Sequence, residues 1–472
     1  MVIYRLVRYV DTRTGQAPVL KKLLRYVFPD HWSFLLGEIA LYCFVILVGT
    51  GIYLTFFFDP STQQTVYHGA YEPLRGREMS EAYRSVLDIS YRYKAGLLIR
   101  QTHHWAADVF LVAITLHVLR VFFTGAFRKP REVTYYVGVL MLALAMFEGF
   151  AGYSLGDDLL SGMGLAIAYS VVLSVPFVGA NLALLIWHGP FPGTTEFFSR
   201  LYIAHVLLVP VAIAVLLSIH LVTIVFTHHT QFRGPRAREE NVVGTPLWPG
   251  YLFRSLGLGL AVAAVLFLLG GLVQINPVWE WGPFAPSQST NGAQPDWYLG
   301  WLIGALRLMP GWEPHIGHYT LIPNAFWGGA FFPTLVFGFL FVWPTLERRI
   351  TGDHGYHHLL DRPRDAPWRT GVGVGFFVWV GMIFVAGSSD RVFVQTNIDY
   401  ESQIHVYQAL VFVLPFVAAF VTKRVCEQLL RSEAHPLRGP GGGRVRRTPG
   451  GGFEAVGDPP RSPRGEGTPS RS

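Results

Sequence analysis

Eight times along this chain of 472 residues an apolar run recurs that is long enough to cross the ~30 Å hydrocarbon core of a bilayer. The runs fall at about 33–58, 102–124, 134–153, 201–227, 251–274, 321–343, 369–388 and 403–422. Inside lipid the backbone must satisfy its own N–H and C=O groups, which leaves only helices and closed barrels. Unbroken runs of about twenty residues predict helices, so the fold class is an all-α integral membrane protein with eight transmembrane helices. Helices 1–4 form a four-helix bundle and helices 5–8 a C-terminal group. Composition agrees, with 51% hydrophobic and 15% charged residues and a mean hydropathy of +0.34.

The basic connections are "GAFRKPRE" (125–132), "THHTQFRGPRARE" (227–239) and "LERRITGDHGYHHLLDRPRDAPWR" (346–369). They join helices 2 to 3, 4 to 5 and 6 to 7, so all three fall on the side of the N-terminus. By the positive-inside rule that side, with both termini, is cytoplasmic and the chain is a multi-pass protein of the cell membrane. The first run is long and lacks a small-residue cleavage site before the next polar loop, so no cleaved signal peptide is expected. The divisions expected are a cytoplasmic N-terminal segment (1–32), a first four-helix domain (33–240), a second (241–430) and a tail from 431. The tail holds eight Arg against four acids among many Gly, Pro and Ser, the composition of a disordered, solvated segment.

Only Cys43 and Cys426 occur, which excludes within this chain a disulfide framework, a C-x-x-C-H covalent haem site and a cysteine-bound iron–sulfur cluster. Histidine is the informative residue. His103 and His117 are 14 apart on the second run; His205 and His220 are 15 apart on the fourth. At ~100° per residue, 14 steps fall about 40° short of whole turns and 15 pass them by about 60°, so each pair shares one helix face. The two levels stand about 21 Å apart along the axis. Both helices run in the same direction, so His103 comes level with His205 near the outer surface and His117 with His220 near the inner. A lone intramembrane histidine is commonly a helix–helix hydrogen-bonding residue. Four at matched depth suit the axial ligation of two stacked, non-covalent b haems, the outer iron by His103 and His205 and the inner by His117 and His220. His104 points about 100° away from His103 and is not counted as a ligand.

Gly37 and Gly51 on the first run, and Gly138 and Gly152 on the third, repeat the 14-residue interval. A macrocycle packed edge-on against a helix needs a missing side chain at the contact, and two haems need two such gaps per helix. Glycine is common in membrane helices, so these positions argue only with the histidines. Arg100 and Arg120, each three residues beyond a ligand toward the surface, can pair with haem propionates; ordinary interface anchoring explains them equally.

In its histidine and glycine spacings, in "GYSLGDDLLSG" (152–162) and in "PDWY" (295–298), the chain resembles the cytochrome b subunit of the respiratory cytochrome bc complex, the quinol:cytochrome c reductase. The resemblance covers roughly residues 10 to 430. The segments "VFPDHWSFLLGEIALY", "HGAYEPLRGREMSEAY", "VFFTGAFRKPRE", "INPVW" and "HHLLDRPRDAP" are most similar to its actinobacterial branch. The resemblance implies a Q cycle. Quinol is oxidised at an outer site, one electron goes to a Rieske iron–sulfur subunit and the other crosses through two haems to an inner quinone site, which contributes to the proton-motive force. It further implies a cytochrome c subunit, exchange with the membrane quinone pool (menaquinone by branch), a homodimeric complex and docking to a terminal oxidase. No nucleic-acid partner is expected.

For the outer site the family uses the "PDWY" loop and the hairpin after "GYSL". Asp296 is the implied acceptor of the quinol hydroxyl proton, although most relatives carry the longer Glu there. Tyr298 bonds either the quinol ring or the loop backbone. Gly156 stands where actinobacterial relatives have Pro, which frees a backbone angle that proline would fix. Asp157 and Asp158 read as a helix-capping pair. At the inner site His229, more than its neighbour His228, occupies the position of the family's quinone-site histidine. His354, His357, His358 and Asp361 add titratable groups that the basic loop explains as well.

Three rivals make different forecasts. A transporter with an intramembrane histidine proton relay needs neither matched depths nor glycine pairs. A dihaem anchor passing electrons between a dehydrogenase and quinone needs no outer "PDWY" loop. An inactive paralogue serving assembly finds its single hint in Gly156.

Overall fold

The computed structural model describes residues 2–15, 17–289 and 295–434, and three short strands beyond. Eight helices among them are long and apolar enough to span a membrane. They are span 1 (Trp32–Thr55), span 2 (Gly96–Thr124), span 3 (Glu132–Ser154), span 4 (Thr195–Thr227), span 5 (Leu247–Leu272), span 6 (Trp327–Thr351), span 7 (Pro367–Ala386) and span 8 (Tyr400–Glu433). All eight expected helices are present. Span 2 starts six residues before its expected apolar run, because Gly96–Gln101, which includes Arg100 and Gln101, continues the same helix. Large side chains such as Phe226, Leu272 and Phe416 stand exposed on the spans, as lipid-facing residues should.

Where spans meet closely, small residues allow it. A Cβ on Gly375 of span 7 would lie 2.8 Å from the Pro415 carbonyl of span 8, so only glycine lets these backbones touch. The alternate loops gather into two groups at opposite ends. At one end Val27 pairs with Pro246 and Gln231 with Leu359, while Arg131 donates to the carbonyls of His228 (2.8 Å) and His357 (2.7 Å). At the other end Ser80 donates to Asp157, and Tyr83 donates to the Val278 carbonyl (3.1 Å). There Asp158 bridges Pro283. Two further helices, Leu159–Leu173 and Gly179–Trp187, form the hairpin after "GYSL".

Span 4 is not a uniform α-helix. Residues Ala204–Leu208 form a π-turn that begins beside His205. An i→i+5 turn takes up one residue more than an i→i+4 turn. The fifteen residues from His205 to His220 therefore cover about the ground of fourteen α-helical ones, and the ~60° overshoot expected from a regular helix does not arise. The tail also departs from expectation. The last helix continues to Ala434, and Leu437–Arg438, Arg444–Arg447 and Phe453–Val456 pair as a small antiparallel sheet; the rest of the segment expected to be disordered lies outside the described residues.

Candidate functional site

At the outer level the His103 and His205 rings face each other with centroids 6.2 Å apart and planes at 81°. Two imidazoles bound to one metal through bonds of about 2 Å, plus half a ring on each side, put centroids roughly 6 Å apart. Span 1 supplies Gly51, where a Cβ would stand 3.3 Å from His103 Cε1; span 3 supplies Gly152, whose Cβ would collide with His205 Cε1. At the inner level Gly37 meets His117 Cε1 (3.3 Å from its Cβ position) and Gly138 meets His220 Cε1 (3.6 Å). The four glycines thus serve the same two levels as the four histidines. At both levels a ligand imidazole lies against the gap.

The second nitrogens of the four imidazoles differ in their surroundings. His103 Nδ1 lies 2.9 Å from Thr50 Oγ1, whose own hydroxyl donates to the Ile46 carbonyl, so Thr50 is left to accept. His220 Nδ1 donates to the Thr134 carbonyl (3.0 Å). His205 Nδ1 lies 2.9 Å from Glu148 Oε1, and His117 Nδ1 is buried with no partner. Such contacts fix which ring nitrogen faces inward.

The residues fit a propionate-bearing macrocycle at both levels. Arg100 donates to the Asn276 carbonyl through Nη1, yet its Nε and Nη2 are buried without partners; Arg120 likewise leaves Nε and Nη2 buried and unpartnered over the Phe34 ring. An arginine that merely anchored the helix at the interface would turn these nitrogens to water.

A cavity takes in the outer level itself, lined by His103, His205, Gly51 and Gly152, and extends to His104, Asp296 and Tyr298. His104 Nε2 lies 3.1 Å from Asp296 Oδ1, and Tyr298 donates its hydroxyl to Asp296 Oδ2 (3.2 Å). Burial and the Asp296 carboxylate hold the Tyr298 hydroxyl well above its usual pKa, so it remains a neutral donor. The Tyr298 ring fits because Gly149 has no side chain: a Cβ there would stand 2.6 Å from the phenol oxygen.

The family model described as cytochrome b(N-terminal)/b6/petB matches residues 108–283. The cytochrome bc1 complex cytochrome b subunit of Mycobacterium leprae (strain TN) is 45% identical over 454 residues, 96% of this chain and 82% of that protein. Its counterpart in Streptomyces coelicolor is 44% identical over 456 residues, covering 96% and 83%. The chain belongs to the cytochrome b subunits of the bc1 complex. Among solved structures, a chain of a hyperthermophilic respiratory Complex III shares the fold, with a TM-score of 0.65 at 19% identity over 88% of this chain and 99% of that one. As a cytochrome b subunit it is a multi-pass membrane protein of respiratory electron transfer, part of a quinol:cytochrome c oxidoreductase that binds haem b and works with Rieske and cytochrome c subunits.

Other expected positions of this cytochrome b divide. Asp158 caps the helix Leu159–Leu173 in a capping box with Ser161, whereas Asp157 makes no cap; it sits at φ 46° and accepts from Ser80. Burial pushes both carboxyls up to about 6. Gly156 has no left-handed φ, and its N–H donates to the Tyr153 carbonyl (3.3 Å), a bond that proline would forfeit. At the inner end His229 packs between the rings of Tyr26, Phe28 and Phe34. Burial first, then Arg120 and Arg131, push its imidazole down to about 4, so it is uncharged at neutral pH. His228 stacks on Tyr26 and gives its carbonyl to Arg131.

His357, His358 and Asp361 are tied into the loops, to Asp353, Arg131 and Arg369 respectively, while His354 is exposed. Sequence reasoning missed His104 and Glu148. Glu148 carried a signal, since it is an acid inside an apolar run four residues before a gap glycine; His104 carried none, since its partner lies 192 positions away.

Proposed function

We propose that this chain oxidises quinol at the outer cavity and reduces quinone at the inner end, with His103 and His205 holding an outer haem b and His117 and His220 an inner one. When bound, the two haems supply a path for electrons across the bilayer. The facing outer pair His103 and His205, with glycine behind the histidines at both levels, carries this reading. Arg100 and Arg120 hold the propionates. At the outer cavity Asp296 takes the quinol hydroxyl proton as general base. Tyr298 and His104 hold its two carboxylate oxygens, which compensates for the shorter side chain. At the inner end His229, neutral in its aromatic box, contacts the quinone head group.

The basic loops put the inner end and both termini in the cytoplasm, so protons are released outside and taken up inside. The functional halves are 33–240 and 241–430. Menaquinone as substrate, a homodimeric assembly and docking to a terminal oxidase complete the proposal.

The test is a dithionite-minus-oxidised spectrum with a pyridine haemochrome titration, repeated on His117→Ala and His205→Ala. Two b haems per chain, with one lost in each variant, support the ligand sets. A folded chain without haem would overturn them.

A further inference from the structure

Span 3 carries one short module twice. At the inner level residue 134 meets His220 Nδ1 and residue 138 leaves the gap for its ring; at the outer level residue 148 meets His205 Nδ1 and residue 152 leaves the gap. Positions i and i+4 lie on one helix face, one turn apart. The two copies are themselves 14 residues apart, the spacing of the histidine levels. They differ in what they offer. Thr134 spends its hydroxyl on Thr223 and presents a backbone carbonyl, whereas Glu148 presents a carboxylate. Glu148 Oε1 stands 2.9 Å from His205 Nδ1, and among the described residues neither that nitrogen nor the buried Glu148 Oε2 has a hydrogen-bond partner elsewhere.

A carboxylate on the far nitrogen of an axial imidazole makes that ligand more basic and adds negative charge near the metal. Both effects favour the ferric over the ferrous state and lower the reduction potential. Among the described residues no carboxylate stands beside the Nδ1 of either inner histidine: His117 Nδ1 is buried without a hydrogen bond and His220 meets a neutral carbonyl. The nearby arginines do not cancel the difference. Each level has its own buried arginine, Arg100 outside and Arg120 inside, and Arg131 adds a further positive charge on the inner side.

We infer that Glu148 is a positioning residue which, through His205, lowers the reduction potential of the outer haem. The inference rests on the haem assignment above. It gives span 3 a task besides packing, because the same helix that makes room for two imidazoles decides how strongly each pushes electrons onto its metal.

Potentiometric titration of the purified complex, followed at the b-haem α-band, tests it in wild type, Glu148→Gln and Glu148→Asp. The expected result is two waves, with one moved upward in Glu148→Gln by about tenfold in the reduction equilibrium, about 59 mV for one electron. The same wave moves by less in Glu148→Asp, and the other stays put. Unmoved waves in both variants, or a downward shift, would overturn the inference. Should Glu148→Gln lose a haem, Glu148→Asp alone decides by the same criterion, and haem loss from that variant too would make the carboxylate a retention device and refute its tuning of the potential. A wild-type haem count other than two per chain overturns the ligand assignment instead, and is read separately by pyridine haemochrome.

Discussion

Alanine at each of the four gap glycines forms a graded experiment. At Gly138 the new Cβ would stand 3.6 Å from His220 Cε1, an ordinary van der Waals contact. Gly→Ala inside a helix gains about 1 kcal/mol of propensity, so Gly138→Ala should keep both haems and lose no stability. At Gly37 and Gly51 the Cβ comes to 3.3 Å from His117 and His103, a few tenths of an ångström too close. There overpacking and propensity nearly offset. At Gly152 the Cβ collides with His205 Cε1 and stands 2.9 Å from Nε2 and 3.1 Å from Nδ1, and the ring has Glu148 within 2.9 Å. Overpacking costs about 1–3 kcal/mol, more than the helix gains, and the ring must leave its place. Membranes from the four variants, scored by pyridine haemochrome per chain, should rank Gly138→Ala as wild type, Gly37→Ala and Gly51→Ala slightly reduced, and Gly152→Ala with about one haem of two. Equal loss in all four, or the greatest loss in Gly138→Ala, would refute the view that these glycines exist to seat imidazoles.

Three further outcomes follow from the site and its supports. His104→Leu leaves Asp296 Oδ1 without its neighbour; at about 1–3 kcal/mol for an orphaned buried acceptor, steady-state quinol oxidation should fall about tenfold, while His104→Gln, which keeps a donor, should retain most of it. Asp157 is raised from 3.8 to about 6 by burial, so its charged form weakens the fold above pH 6 and the penalty vanishes as pH falls below 3.8. Asp157→Asn should therefore raise Tm at pH 8 more than at pH 5, and an equal or reversed difference in thermal scans would contradict this. Arg369 is buried between Glu347 (2.6 Å) and Asp361 (3.0 Å); Arg369→Met should cost about 3–5 kcal/mol and shorten the half-life of the detergent-solubilised complex.

The eight spans were legible because lipid permits so few backbone solutions, and the histidine levels because helical rise and angle are fixed quantities. What stayed hidden depends on distant partners or local irregularity. His104 points away from His103 by one helical step, which counted against it as a ligand; that same step aims it at Asp296, on a loop that no periodicity could bring near. The glycine pairs were legible from their spacing, which gives depth; that a histidine ring lies against each gap depends on a rotamer on another helix, which spacing does not give. Of the acidic pair in the hairpin, Asp158 alone caps the next helix; Asp157 turned to Ser80, a contact set by the fold of the outer loops.

The π-turn at Ala204–Leu208 makes span 4 tolerant of a change in length between its two histidines. A helix that already stores one surplus residue can lose it and become regular, and its two histidines then stay 14 apart at the same depths and on the same face. Bulged and unbulged versions of this span can therefore replace one another over descent by a single-codon insertion or deletion, with neither ligand having to move.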